Sequence, residues 1–171
     1  MTTQEPGSAD LADRVKQAHR AFPTGVTIVT GKAGEQPFGL AVNAFSSVSL
    51  SPPMVLVCIN RASSSYPKFF QSQSFGVSIL ANDQQHVAMR FAKSGGDKFK
   101  GLAWHDGACG VPLITEAAAG FELEVVSMLM AGTHVIFIGK VLSAEVSGKA
   151  ALLYSDGGFY DGAQLAPASQ S

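Results

Sequence analysis

The hydrophobic period of this chain changes near residue 23, and that change limits the fold more than any other feature. Before it, residues 10–22 (DLADRVKQAHRAF) place apolar side chains at helical spacing, and Pro23 ends the helix. After it come short β-rich runs separated by Gly, Pro, Ser and Gln: GVTIVTG, FGLAVNAFSSVSL, MVLVCIN, SFGVSIL, GFELEVVSMLM, HVIFIGKVLSAEVS and LLYSDGGFY. These runs predict six or more strands joined by hairpin-length turns.

Two helical segments interrupt the predicted strands. Pro67 fits the first turn of a helix in SSSYPKFFQS, and Asn82 and Gln85 have capping-box spacing in NDQQHVAMRFAK. A parallel α/β sheet would need a helix between most strands, so the pattern favours a mainly β fold, an antiparallel sandwich or a closed barrel.

The run GFELEVV alternates with a period of two. We therefore expect Phe121 and Leu123 on the buried face of a half-buried strand, and Glu122 and Glu124 on the opposite face.

The length suits one domain with a sizeable core, since the chain has 171 residues and is 46% hydrophobic. Both ends are small and polar. We predict a disordered tail over residues 1–9, a domain over residues 10–160 and a flexible tail over residues 161–171.

The charge balance argues against two classes of partner. Twelve basic and thirteen acidic residues give a formal charge of −1, which offers no net attraction to nucleic acid or to an anionic membrane. The N-terminus has neither a basic start nor an apolar run, and no apolar stretch reaches the roughly 18 residues of a membrane span. We expect a cytoplasmic protein that binds no nucleic acid and no membrane.

The usual catalytic motifs are missing. The chain has no phosphate-binding G-x-x-x-x-G-K-[ST], no H-E-x-x-H, no G-x-S-x-G and no G-x-G-x-x-G. The four histidines do not cluster, so no metal site is predicted. Cys58 and Cys109 are far apart in sequence and are expected to be free thiols.

Polar side chains are concentrated where buried strands would not need them. The segment 39–60 carries Asn43 and serines 46, 47, 49 and 51, although each unpaired buried polar group costs about 1–3 kcal/mol. Ser63, Ser64 and Ser65 enter a helix and offer hydroxyls and N–H groups suited to a phosphate. The alternative is a solvated strand face followed by an ordinary helix cap.

Lys98 and Lys100 lie in a glycine-containing loop, SGGDKFKG, whose backbone could approach a ligand closely. A solvated surface loop is the alternative interpretation of this segment.

The chain resembles the short-chain flavin reductases, which supply reduced flavin to two-component monooxygenases. The resemblance covers about residues 18–160 and is carried, in order, by FPTGVTIVT, GLAVNAFSSVSLSPP, LVCIN, FGVSIL, RFA…DKFKG…W, AGTH and GGFY. It implies an FMN-binding split barrel, a Greek-key antiparallel barrel with a few short helices. It also implies a homodimer that holds flavin near the subunit interface.

The resemblance also implies a set of site residues. His134 is the catalytic candidate, near the flavin ring and the nicotinamide. The implied cofactor-binding residues are Val42, Asn43 and Ala44 around the ring, Cys58, Ile59, Asn60, Ser63, Ser64 and Ser65 around the ribityl chain and phosphate, Phe91 and Lys98 near the flavin tail, Tyr160 near the ring and the nicotinamide, and Ser47. The chain departs from the family at Ala41 and Ala44, where hydroxyls are common, at Ser51, where an aspartate is common, and at Thr133, where an aspartate usually precedes the histidine.

The activity implied is that of an NAD(P)H:flavin oxidoreductase of the EC 1.5.1 type. Hydride would pass from NADH or NADPH to FMN or FAD, and the reduced flavin would diffuse to a separate monooxygenase. The lack of nucleophile and metal motifs agrees with this activity, because the cofactor carries the chemistry. Two alternatives stay open, a non-catalytic flavin carrier or sensor and a flavin-dependent oxidase of one small substrate.

Overall fold

The computed structural model describes residues 8–168. The helices are α1 (Ser8–Arg20), α2 (Tyr66–Gln71) and α3 (Gln85–Ala92), with a short 3-10 turn at Gly162–Gln164. The strands are β1 (Thr24–Gly25), β2 (Thr27–Ala33), β3 (Gln36–Val42), β4 (Phe45–Leu50), β5 (Pro53–Asn60), β6 (Ser74–Ile79), β7 (Trp104–Asp106), β8 (Pro112–Ile114), β9 (Ala119–Ala131), β10 (His134–Val146), β11 (Leu152–Ser155) and β12 (Gly158–Asp161).

The strands form three sheets. A seven-stranded antiparallel sheet has the order β3-β2-β6-β9-β10-β5-β4, β1-β11-β12 form a second sheet, and β7 and β8 form a hairpin. The predicted mainly β, antiparallel fold is confirmed. Within residues 8–168 no pairing joins the edge strands β3 and β4, so the hydrogen-bonded ladder does not close into a complete barrel.

Two apolar clusters form the core. The larger lies on the inner face of the seven-stranded sheet, where Val57, Leu123 and Phe137 are fully buried. The smaller lies under α3, where Ile28 and Phe91 are buried. Because α3 packs on β3 and β2, strand β3 is held between the two clusters.

The two short helices form where they were predicted, but α3 is not capped as expected. Gln84 occupies its N-cap position and makes no side-chain cap bond. The Gln84 side chain instead accepts the N–H of Ala81 at 3.0 Å, and Asn82 donates to Asp161 at 2.7 Å. The capping-box prediction is wrong because these polar groups find partners outside the helix.

Glu122 also departs from the alternation pattern. Its side chain is 2% exposed, whereas Glu124 lies in solvent as predicted. The loop after β7 covers this part of β9, and the N–H of Cys109 donates to Glu122 Oε2 at 2.7 Å. A loop from elsewhere in the chain therefore buries a face that the local pattern assigns to water.

Regular structure extends past both predicted boundaries. Helix α1 begins at Ser8 rather than at residue 10, and residues 1–7 of the predicted N-terminal tail lie outside the described residues. At the other end, Asp161 belongs to β12 and caps the 3-10 turn by accepting the N–H of Ala163 at 2.8 Å. That bond and the one from Asn82 lower the pKa of Asp161.

The glycine-rich segment 93–112 contains β7, which pairs with β8. None of the helices between residues 8 and 168 has the length and apolarity that crossing a bilayer requires.

Candidate functional site

A cleft of about 650 Å³ lies between the start of β3, the entry of α2 and the loop that follows α3. We call it the polar cleft. Its walls include Gly39, Ser64, Ser65, Lys68, Lys98 and Lys100. The serine cluster and the lysine loop, separate in sequence, therefore meet at one site.

Lys98 is fixed at the floor of the polar cleft. Its ammonium donates to the carbonyl of Phe91 at 3.0 Å and to the carbonyl of Gly39 at 3.3 Å. Partial burial lowers its pKa. An ammonium has three N–H donors, so two hold the group in place and one remains for a ligand in the cleft.

Ser65 contacts the same carbonyl. Its hydroxyl donates to Gly39 O at 3.3 Å, and the residue is 8% exposed. A Cβ at Gly39 would lie 2.8 Å from the carbonyl oxygen of Val29, so only glycine fits there without movement. The Gly39 carbonyl thus joins the entry of α2 to the loop after α3.

A second cleft, of about 480 Å³, opens beside the far end of β3. We call it the apolar cleft. Its walls include Ala41, Val42, Asn43, Met89, Tyr154 and Phe159. Tyr154 and Phe159 meet edge to face with ring centroids 5.3 Å apart. These walls suit a planar ring more than a charged group.

A third cleft, of about 410 Å³, lies on the other side of the β3–β4 turn. We call it the outer cleft. Its walls include Phe22, Thr24, Asn43, Ala44, Leu56 and Cys58. The N–H of Cys58 donates to the carbonyl of Ala44 at 3.0 Å, which fixes the turn against β5. Burial raises the pKa of the Cys58 thiol.

His134 lies at the first position of β10, opposite Asn60 of β5. The N–H of Arg61 donates to the carbonyl of Thr133 at 3.0 Å, so the turn before His134 lies against the serine-containing loop. Thr133 Oγ1 lies 2.9 Å from His134 Nδ1, where it can orient the imidazole.

Several predicted residues lie away from the cleft walls. Phe91 and Ile59 are each 1% exposed and point into the core, so their side chains support the site from beneath. Ser47 is exposed on β4, and Tyr160 is 54% exposed on β12.

The sequence analysis missed Lys68, Tyr154 and Phe159. Phe159 belongs to the same GGFY run as Tyr160, and the alternation of β12 places it rather than Tyr160 against the apolar cleft. Lys68 follows Pro67 by one position on α2 and could have been found from its helical spacing to Ser64.

Residues 19–163 match the family described as flavin reductase like domain. The chain belongs to the flavin reductase family. A probable flavin reductase of Rhizobium meliloti is 38% identical over 147 residues, which cover 85% of this chain and 47% of that protein. This flavin reductase family member therefore spans about half the length of that relative.

Two further relatives cover most of both chains. The FMN reductase (NADH) of Agrobacterium fabrum is 39% identical, with 84% of this chain and 82% of that protein covered. An NADH:FAD oxidoreductase of Streptomyces globisporus, solved in complex with NAD and FAD fragments, is 32% identical with a TM-score of 0.85. That match covers 99% of this chain and all of the other.

The donor set of the clefts fits a flavin nucleotide. The polar cleft offers lysine ammoniums and serine hydroxyls, which are groups suited to a phosphate, and the apolar cleft offers aromatic walls. Thr24 Oγ1, beside the outer cleft, is buried with no hydrogen-bond partner among the described residues. In the same part of the chain, no group of three His, Cys, Asp or Glu side chains is placed to hold a metal ion.

Proposed function

We propose that this protein is an NAD(P)H-dependent flavin reductase, an oxidoreductase of the EC 1.5.1 type that reduces FMN or FAD. Membership of the family and the activities named for the Agrobacterium and Streptomyces relatives support this. In the fold, the proposal rests on one observation: Lys98 and Ser65 both donate a hydrogen bond to the carbonyl of Gly39 at the floor of the polar cleft.

The polar cleft would hold the phosphate of the flavin. The third N–H of Lys98 and the hydroxyl of Ser64 would donate to it, and Lys68 and Lys100 add positive charge at the rim. The hydroxyl of Ser65 is already bound to Gly39 O and would hold the wall of the cleft in place. Each charge-assisted hydrogen bond to a phosphate oxygen contributes about 1.5–3 kcal/mol. The phosphate would therefore supply much of the affinity and fix the direction in which the nucleotide lies.

The β3–β4 turn would hold the flavin ring. Val42 and Asn43 line the apolar cleft, and Asn43 and Ala44 line the outer cleft, so this turn separates two places where a flat ring can lie. Because Ala41 and Ala44 carry no hydroxyl, backbone groups of the turn would make the polar contacts to the ring. Bound flavin supplies the hydride-accepting chemistry.

His134 would position the nicotinamide. Thr133 orients one ring nitrogen of His134, which leaves the other free to donate or accept a hydrogen bond. The protein's contribution is to bind the two nucleotides in order, orient their rings and exclude water. No nucleophile is needed for this task.

A homodimer is supported by the outer face of the sheet. Leu56 and Cys58 on β5 lie beside Ile138 and Ile136 on β10, and these four apolar side chains are all partly exposed. The opposite, inner face of the same strands is fully buried. A strand that is apolar on both faces needs cover on both, and a second copy in a two-fold arrangement would supply it.

The product would leave the protein as reduced FMN or FAD. Two further relatives are named as reductase components of monooxygenases: one of a flavin-dependent trigonelline monooxygenase in Acinetobacter baylyi, the other of a 4-nitrophenol monooxygenase in Rhodococcus opacus. We propose that this chain likewise serves a separate flavin-dependent monooxygenase in the cytoplasm, through diffusing reduced flavin and without nucleic acid or membrane as partner.

The deciding experiment is NADH oxidation by the purified protein with and without added FMN, FAD or riboflavin. Flavin-dependent oxidation of NADH or NADPH supports the proposal. A protein that binds flavin but never oxidises either nicotinamide nucleotide would instead be a carrier or sensor. Reduction of the flavin by one dedicated small substrate, and not by NADH, would identify an oxidase.

A further inference from the structure

Helix α1 presents a stripe of apolar side chains that no part of residues 8–168 covers. Leu11 and Val15 stand at helical spacing on α1, and Phe22 continues their stripe two residues past the end of the helix; the three are 55%, 44% and 72% exposed. From Asp10 to Arg20, every side chain of the helix is exposed. The helix is tied to the domain at its end, where the N–H of Asp156 donates to the carbonyl of Arg20 at 3.2 Å.

A helix of this length needs a surface to pack on. Helices shorter than about 12–15 residues are marginal in water, and in proteins the packing of an amphipathic face supplies most of their stability. Helix α1 has 13 residues. Its apolar stripe therefore calls for a partner beyond the described part of its own chain.

The stripe ends where the uncovered sheet face begins. Phe22 and Pro23 line the outer cleft together with Leu56 and Cys58, and Leu56 and Cys58 belong to the outer face of the sheet. A second copy placed on that face would meet the end of α1 directly. The second half of β9 continues the uncovered surface with Leu129, which is 59% exposed and pairs with Ile136 on the same face of the sheet.

We propose that α1 packs on the second copy of this chain, with its apolar stripe on the uncovered strands β9 and β10 of that copy. The inference rests on the proposed homodimer and specifies how it is held together. In a two-fold pair each copy gives one helix and receives one, so every contact of the stripe occurs twice. The outer cleft, which Phe22 and Ala44 share, is then enclosed only in the dimer.

A second copy fits this stripe better than a membrane does. The polar side of α1 carries both charge signs, with Arg14 beside Asp10 at 3.9 Å and Lys16 beside Asp13 at 3.1 Å. Helices that lie on membranes usually present a basic polar face instead. The uncovered sheet face on the same chain is an apolar surface that the stripe can bury.

The test compares two substitutions that add the same charge to α1. Val15→Glu places a carboxylate on the stripe, and Gln17→Glu places one on the polar side of the helix, both at exposed positions. By sedimentation equilibrium, Val15→Glu should raise the dissociation constant of the dimer roughly tenfold or more, because the added carboxylate enters the two-fold interface twice. Gln17→Glu should leave the dimer unchanged. An unchanged dimer in Val15→Glu, or equal weakening in both variants, overturns the inference.

Hydrogen exchange on the unmodified protein gives a second, independent readout. The amides of α1 should exchange slowly when the protein is dimeric and quickly when it is diluted to the monomer, while those of β6 stay protected throughout. Exchange in α1 that does not respond to dilution overturns the inference. A protein that is monomeric at all concentrations yet oxidises NADH with added flavin overturns this inference and the dimer, and leaves the proposed reductase activity standing.

Discussion

Replacing Lys98 by methionine should weaken flavin binding through the phosphate and leave the chemistry intact. Methionine keeps most of the side-chain length and removes the ammonium. Two N–H groups of that ammonium are spent on the carbonyls of Gly39 and Phe91, and the third is free to reach a phosphate. Losing one charge-assisted bond of about 1.5–3 kcal/mol raises the KM for FMN roughly 10- to 100-fold.

The assay measures NADH oxidation against the concentration of FMN and, separately, of riboflavin, which has no phosphate. With Lys98→Met, the KM for FMN should rise and the KM for riboflavin should stay within about twofold, with kcat at saturating flavin unchanged. Lys93→Met is the matched control, because Lys93 is exposed at the end of α3 outside the polar cleft. It should leave both constants unchanged.

The pattern of the two KM values decides the role of Lys98. If the KM values for FMN and riboflavin rise together, Lys98 organises the cleft and does not bind phosphate. If neither changes, the ammonium plays no part in flavin binding, and the assignment of the polar cleft to the phosphate is refuted.

Further predictions follow from the same geometry. Because burial lowers the pKa of Lys98 below its usual 10.5, FMN affinity in the unmodified protein should begin to fall with rising pH below that value, and Lys98→Met should show no such fall in a binding titration. His134→Ala should lower kcat/KM for NADH about 10- to 100-fold with little change in flavin KM; a variant that loses flavin affinity and keeps normal single-turnover reduction would make His134 part of the flavin site. Gly39→Ala should reduce the free energy of unfolding in urea by about 1–3 kcal/mol, because the new Cβ would lie 2.8 Å from the carbonyl oxygen of Val29. Gly25→Ala is the control and should leave that free energy unchanged, because no atom lies within 4 Å of its Cβ. Equal effects of the two substitutions would contradict the packing argument. Glu122→Ala should lower the free energy of unfolding by about 1–3 kcal/mol, because the N–H of Cys109 loses its acceptor. An unchanged free energy of unfolding would show that this bond contributes nothing to stability.

Local pattern was enough to predict most of the secondary structure. The period of two, the β-branched runs and the Gly and Pro breaks gave the strands, and Pro67 marked the start of α2. The family resemblance then named residues that the structure brings together, among them Ser64, Ser65 and Lys98 in the polar cleft. The joint contact of Ser65 and Lys98 with Gly39 O depends on how α2 and α3 pack, which no local spacing reports.

Tertiary structure decided which faces are covered. Alternation in β9 places Glu122 opposite Leu123, yet a loop from residues 107–110 buries that carboxylate. In β5 the continuous apolar run is covered on one face within the chain and left partly exposed on the other. A sequence period tells which residues share a face, because it follows from backbone geometry. Whether water, a loop or a second copy lies against that face depends on contacts between residues far apart in the chain, and only the folded structure fixes those.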